Sequence, residues 1–461
     1  MQRLILWLSQ HPLKILAITF ALSVGALMLC FDVDTMTPRL SIDPSIEHLL
    51  PAGEGDRAVL DQVRNTFGGG DALLLAVKLG PIFTPENLGR IDALTKALRA
   101  LPDVTSVFSL ATAPNLRATD DELDISSFTE QARKDPSVIG TFAAQLADNP
   151  VYKGSLVSAD GTVAAFVVSM QEISESQFQE RGYVPRIRAM VDQVAPGAQS
   201  WITGTLLVRT VTSAALIKTL KFTIPGVFGV ILALLMVSFR SLRATLVAAA
   251  TVAMALLWTM ACAVVLQIPM NLVTAIVPPL VITLGLSYCI YLLSAHFNAA
   301  EQSGLDTLPA KRRWVIERAG VGLVLSACTT VAGFLALLLN VLPAIRQFAW
   351  LASIGSVLGV TLALTFMPAA LSVIGTSRLK PTRFAAMMIR FARRLARFDL
   401  RFRNFIIGIA IVLIPIDLVF VRHIEAGSEY IRSFDESSQV RQDFETINQA
   451  FNGANFISVL I

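Results

Sequence analysis

The order of apolar blocks constrains this chain more than any other feature. A first run, Leu13–Phe31, is followed by about 180 mostly polar residues. Five further runs then lie close together, Leu220–Phe239, Ala244–Gln267, Leu272–Ser294, Gly320–Leu342 and Ala349–Ile374, and a seventh, Phe405–Val421, comes after a basic stretch. Apolar runs of about 18 or more residues are long enough to cross the hydrocarbon layer of a bilayer as helices. One span, a large polar domain and five clustered spans point to half of a transporter rather than to a receptor or a membrane enzyme.

Composition agrees. Apolar residues make up 54% of the chain and charged residues only 16%, which excludes one large soluble core. The first run sits where a signal peptide would, but it is about 19 residues long and lacks a small-residue cleavage site, so it is read as a retained anchor. Arg240 and Arg243 lie between spans two and three, and Lys311, Arg312, Arg313 and Arg318 between four and five. Span six is followed by a run of arginines from Arg378 to Arg403. The opposite loops are nearly uncharged, with Arg346 their one cation. The positive-inside rule then puts the N-terminus in the cytoplasm and the polar domain outside it. These arginines read as topology and lipid-headgroup contacts, with no nucleic-acid partner implied. All four cysteines, Cys30, Cys262, Cys289 and Cys328, fall in spans, so no disulfide framework holds the polar domain.

The polar domain reads as α/β. Asp71–Leu79 is a β-like apolar run, Pro85–Leu101 an amphipathic helix and Val104–Leu110 a second strand. A polar helical region over Asp120–Asp148 is interrupted by Pro136. Ser155–Ser158 and Thr162–Met170 read as a hairpin turning at Ala159-Asp160-Gly161, Ser174–Val194 as a helix and Ala198–Ile202 as a last strand. One or two small open sheets backed by helices would result. The fold class is thus a membrane α-helical bundle, 1+5 spans plus a seventh, with an extracytoplasmic α/β domain.

Shifted by a constant offset, Arg57–Val77 matches Arg441–Ile461: Leu60 pairs with Phe444, Val63 with Ile447, Phe67 with Phe451 and Gly69 with Gly453. Coincident periodicity of two amphipathic helices is one explanation. The shared Phe-x-Gly and the span before each copy favour a repeat, as in many transporters. Ile461 falls inside an expected strand, so a longer reading frame is expected. The divisions are 1–31 for the first span, 32–212 for the polar domain and 213–376 for the five-span bundle. Then come 377–404, a basic amphipathic linker on the inner leaflet, 405–421, the seventh span, and 422–461, the start of a second domain.

Asp148-Asn149-Pro150 and Leu156-Val157-Ser158-Ala159-Asp160-Gly161 in the polar domain, Gly285-Leu286-Ser287-Tyr288 in span four and Thr329-Thr330-Val331-Ala332-Gly333-Phe334 in span five carry a family resemblance. With the span order, they resemble the resistance–nodulation–division (RND) superfamily. The motifs are most similar to the mycobacterial-membrane-protein-large (MMPL) type and to hopanoid or sterol exporters, and spans two to six are similar to the sterol-sensing domain. The resemblance implies a multi-pass permease of the bacterial inner membrane with a periplasmic, porter-like domain. It would move lipids or other hydrophobic amphiphiles outward on the proton gradient. The implied partners are the membrane, a lipid or hydrophobic small-molecule substrate, a periplasmic lipid-carrier protein, and a second transporter half or further copy. In such families a Gly-x-Asp-Tyr pattern supplies a relay carboxylate, and this chain has Ser287 in that place.

Spans two to six hold no Asp, Glu, Lys or Arg in their apolar cores. An intramembrane carboxylate is costly and persists where it has a job, so these spans alone cannot run a carboxylate relay. Asp417, in span seven, reads as interfacial. Thr283, Ser287 and Tyr291 recur at helical spacing, with Tyr288 alongside and Thr329 and Thr330 able to face them. They are either ordinary interhelical hydrogen-bond partners or a relay face whose acid comes from elsewhere. Pro225-Gly226 and Pro278-Pro279 are candidate hinges, with simple packing the alternative. Gly68-Gly69-Gly70 lacks the Lys-Ser/Thr of a nucleotide loop and reads as a turn. No nucleophile elbow, metal-ligand spacing or cofactor motif is present in the sequence, so no catalytic residue, metal or cofactor is assigned. The leading expectation is a lipid exporter that receives substrate from the outer leaflet into an apolar cleft of the polar domain. A sterol- or lipid-responsive sensor or scaffold and a protein-translocation accessory subunit are the alternatives.

Overall fold

Helical and strand periodicities sort the chain into two units, each with its own core. The computed structural model describes residues 11–32, 37–43, 72–115, 117–118, 123–148, 152, 154–171, 173–301, 308–374, 383–421, 431, 434–451 and 453. The first unit comprises residues 1–52 and 215–426, the second 53–214 and 427–461. The chain begins with α1 (Pro12–Cys30). It continues through β1 (Ala72–Lys78), α2 (Pro85–Arg99), β2 (Val104–Phe108), β3 (Arg117–Ala118), β4 (Leu123–Asp124), α3 (Phe128–Lys134) and α4 (Ile139–Asp148). Then come β5 (Val163–Met170), α5 (Glu175–Arg181), α6 (Tyr183–Val194) and β6 (Ser200–Gly204). Long helices follow: α7 (Thr205–Phe239), α8 (Leu242–Val265), α9 (Val277–Glu301), α10 (Leu308–Ala336), α11 (Pro343–Ile374) and α12 (Arg383–Val421), with α13 (Gln439–Phe451) last.

The second unit is built on a four-stranded sheet of order β2-β5-β1-β6, every neighbouring pair antiparallel. Helix α2 joins β1 to β2, and α5 and α6 join β5 to β6. Each connection skips one strand, so the pattern is a split β-α-β used twice. Side chains of a strand alternate between faces. Leu73, Leu75 and Val77 of β1, with Phe166 and Val168 of β5 and Ile202 of β6, share a core with Leu88, Ile91 and Leu98 of α2 and Ile187 and Val191 of α6. Leu74, Ala76, Val163 and Ala165 face the other way and pack on Ile447 and Phe451 of α13. Both faces are covered, which is why β1 reads as an unbroken apolar run rather than an alternating one.

Helix α13 is fixed to this sheet by one buried carboxylate. Asp443, 2% exposed, accepts from the Ile202 backbone N–H at 3.1 Å, Arg188 Nη2 at 3.0 Å and Gln439 Nε2 at 2.8 Å. Residues that the sequence assigns to the start of a second domain therefore lie on the sheet made by residues before span two. Most of the matching segment, Arg57–Asp71, together with Gly68-Gly69-Gly70, lies outside the described residues.

Local differences from expectation have simple causes. Ser155–Ser158 forms no strand: its pairing is confined to one bridge, Val157 to Ala164, flanked by backbone bonds from Ser158 N–H to the Val163 carbonyl and from Ala165 N–H to the Leu156 carbonyl. Ser158 Oγ and the Asp160 carboxylate bind the Thr162 and Val163 N–H groups in a side-chain turn. The helix expected over Ser174–Val194 breaks at Gly182, whose φ of 60° lies in the left-handed region. The α2–β2 corner is held by Asp103, which accepts from Arg181 and from the Tyr183 hydroxyl.

In the first unit α1, α7, α8, α9, α10, α11 and α12 are each long and apolar enough to cross a membrane. Helices α8, α9 and α11 form its centre, half of each apolar window being buried. Small residues bring them together. A Cβ on Gly355 of α11 would stand 2.4 Å from Val281 Cγ2 of α9 and 3.2 Å from Thr259 Oγ1 of α8, so only glycine fits. Helix α1 joins α8 through Trp258 Nε1, which donates to Ser23 Oγ at 3.0 Å. The basic stretch and the seventh span are continuous as α12, with non-helical torsions at Phe402 marking the bend between them.

Candidate functional site

Two features carry functional potential: the hydroxyl face of α9 and an apolar cleft in the α/β unit. Thr283, Ser287 and Tyr291 lie on one exposed side of α9, as their spacing requires. Their hydroxyls are partly committed to the helix itself: Thr283 Oγ1 donates to the Pro279 carbonyl at 2.8 Å and Ser287 Oγ to the Thr283 carbonyl at 3.1 Å. Tyr291 lies against α10, where a Cβ on Gly322 would stand 3.2 Å from its hydroxyl oxygen. Thr329 and Thr330 of α10 both donate to the Ser326 carbonyl, at 2.8 and 2.9 Å, and neither hydrogen bond crosses to α9.

Tyr288 belongs to a different side. It is 3% exposed, its hydroxyl is 3.0 Å from Ser356 Oγ of α11, and its ring lies 3.6 Å from where a Cβ of Gly359 would be. Sequence reasoning missed Ser356. The available signal was Gly355-x-x-x-Gly359 on α11, a small-residue pattern that lets another helix approach and places Ser356 beside it. The helices of this unit carry carboxylates only at Glu301, Glu317, Asp399 and Asp417, none of them on the Thr283–Tyr291 stretch. A hydroxyl can pass a proton but holds no charge at neutral pH, so this face by itself cannot store a proton.

The two proline sites differ. Pro278 and Pro279 fall in the first turn of α9, directly after a 3₁₀ turn at Thr274–Ile276. No intrahelical bond is lost there, since first-turn N–H groups lack helical partners anyway. Pro225 lies inside α7, where it removes one bond, and the next residue, Gly226, has open space where a Cβ would be.

The cleft lies where α5, α6, β6, the first turns of α7, and α13 meet. Its volume is about 360 Å³, and its walls include Phe178, Pro185, Leu207, Val211 and Val440. Arg188 and Asp443 form its polar corner. Arg188 Nη2 is engaged by Asp443, whereas its Nε is buried and has no hydrogen-bond partner among the described residues. A wider cavity of about 600 Å³ between α2 and α3 is lined by Asp92, Lys96, Arg99, Glu130 and Arg133 and suits water better than an apolar ligand. Sequence reasoning expected an apolar cleft in this domain but could not include Val440 and Asp443, which come from beyond the seventh span.

Comparison with known proteins agrees with this architecture. A membrane protein of Methanocaldococcus jannaschii is 24% identical over 382 residues, covering 81% of this chain and 93% of that protein. The cryo-EM structure of the hedgehog release protein Disp from the water bear Hypsibius dujardini shares the fold with a TM-score of 0.57 at 16% identity. The match covers 98% of this chain and 58% of that one, so the chain spans little more than half of that protein's length. The MMPL family pattern matches residues 84–401, which run from the start of α2 into α12. With most of its length so matched, the chain belongs to the MMPL family.

Proposed function

We propose that this protein exports lipids or other hydrophobic amphiphiles, sterol- or hopanoid-like in shape, from the bacterial inner membrane toward the periplasm or outer membrane. On this reading the α/β unit is periplasmic and porter-like, and it passes substrate to a periplasmic lipid carrier. The observation that carries the proposal is the cleft: apolar walls with one buried, unengaged guanidinium N–H suit a molecule with a long apolar body and a single polar group.

Energy coupling would be shared. The face of Thr283, Ser287 and Tyr291, with Thr329 and Thr330 on the neighbouring helix, would serve as one wall of a proton path. Its carboxylate would come from a second transporter half or a further copy of the chain. Pro225-Gly226 would supply the bend that α7 needs during transport. The absence of an acid on this face favours one second reading, a lipid-responsive sensor, since ligand binding needs no proton transfer.

The deciding experiment is mass spectrometry of lipids that co-purify with the protein, against an unrelated membrane protein in the same detergent. It is paired with lipid flux in proteoliposomes under an imposed pH gradient. Selective enrichment of one lipid class, abolished by Val211→Trp in the cleft, together with gradient-dependent flux, supports export. Enrichment without flux supports the sensor. A lipid profile equal to the control overturns both.

A further inference from the structure

A second cavity, unrelated to the cleft, lies at one end of the helical unit. It has a volume of about 510 Å³ and is lined by Leu266, Ile268, Pro343, Arg346, Trp350 and Ile354, with Gln347 beside them. It lies between the end of α8 and the start of α11, at the boundary of two candidate spans. Its apolar wall continues from exposed Leu266, and Trp350 is half exposed at its edge. An indole at the end of a span is the usual occupant of the headgroup level of a bilayer.

The unengaged polar side-chain groups of this cavity are donors. Arg346 is exposed, and its guanidinium has no hydrogen-bond or ion-pair partner among the described residues; only its backbone N–H is engaged, by the Leu342 carbonyl. It also stands in the first turn of α11, the end of a helix where a cation is disfavoured, so helix stability does not explain it. Gln347 Oε1 accepts from Asn271 Nδ2 at 2.8 Å, which leaves the Gln347 amide N–H groups to donate. Among the described residues no carboxylate lines the cavity. A site that donates at its rim, carries net positive charge and offers an apolar wall at headgroup depth complements one class of molecule.

We infer that this cavity is a binding subsite for an anionic phospholipid. The phosphodiester accepts from Arg346 and Gln347 at the rim, and an acyl chain lies along Leu266, Ile268 and Ile354. The inference goes beyond export and does not depend on it, because a lipid bound here is a neighbour of the bundle and need not be cargo.

The test uses the full chain in phosphatidylcholine bilayers doped with tail-brominated lipid, which quenches nearby tryptophans. The Trp350 contribution is the difference in emission between the native chain and Trp350→Phe. Brominated phosphatidylglycerol is expected to quench it at a mole fraction roughly fivefold lower than brominated phosphatidylcholine, the advantage of about one surface cation for an anionic headgroup. Arg346→Gln should make the two lipids equal, and Arg346→Lys should keep most of the preference, which separates loss of charge from loss of fold. Excess inorganic phosphate should leave the quenching unchanged. Equal quenching by both lipids in the native chain, a preference that survives Arg346→Gln, or displacement by inorganic phosphate would each overturn the assignment.

Discussion

Tyr288 shows how little a hydroxyl in a bundle reveals about its own role. Its hydrogen bond to Ser356 is the kind worth about 0.6 kcal/mol between membrane helices, while removing the ring from a packed site costs about 3–5 kcal/mol. Tyr288→Phe is therefore expected to lower the melting temperature in detergent only slightly, and Tyr288→Ala substantially. Equal losses would mean that the hydroxyl, and not the ring, holds α9 to α11. Asp103 allows a prediction with a sign. The Tyr183 hydroxyl and then Arg181 hold its carboxyl below the ordinary carboxylate value. A group with a lowered pKa stabilises the fold above its ordinary value of about 4 and loses that contribution as the pH falls through the lowered value. The native chain should lose stability over that acid range more steeply than Asp103→Asn does, read as melting temperature against pH. In the sequence, the spacing of Thr283, Ser287 and Tyr291 was enough to give their common face. It could not separate Tyr288 from them, because which neighbour fills the far side of a helix depends on glycines in another span.

At the scale of elements, periodicity found every strand of the main sheet and every long helix, since burial on both faces or in lipid leaves long apolar runs. It failed where backbone pairing stops at one bridge beside a side-chain turn, as at Ser158 and Asp160, and where a single glycine torsion divides one amphipathic pattern into α5 and α6. The docking of α13 is the element-scale result with the largest energetic content. Ile447 is fully buried against the sheet. Ile447→Ala is expected to destabilise the α/β unit by about 2–5 kcal/mol. Asp443→Asn should cost less, about 1–3 kcal/mol, since it keeps its shape but loses the charged partner of Arg188. Both are readable as increased amide hydrogen exchange in β1 and β6, and protection unchanged from the native chain in either variant would refute this account of the docking.

For the whole molecule, the order of apolar blocks revealed the class, the motifs revealed the family, and the repeat hinted that residues after span seven resemble those before β1. What the order could not convey was the path of the tail, because contacts between segments this distant in sequence leave no periodic trace. That path has a consequence for biosynthesis. The sheet closes with Gly204, but the helix that covers its second face begins at Gln439. Some 235 residues, including six of the candidate spans, must be synthesised in between, roughly 12–50 s at ordinary elongation rates. Throughout that interval Leu74, Ala76, Val163 and Ala165 are left without their eventual cover. A ribosome-stalled chain ending before Gln439 should expose this sheet to protease and to chaperones, and one that includes Phe451 should not. The last helix thus acts as a completion signal: the α/β unit matures only after the ribosome has passed the seventh span.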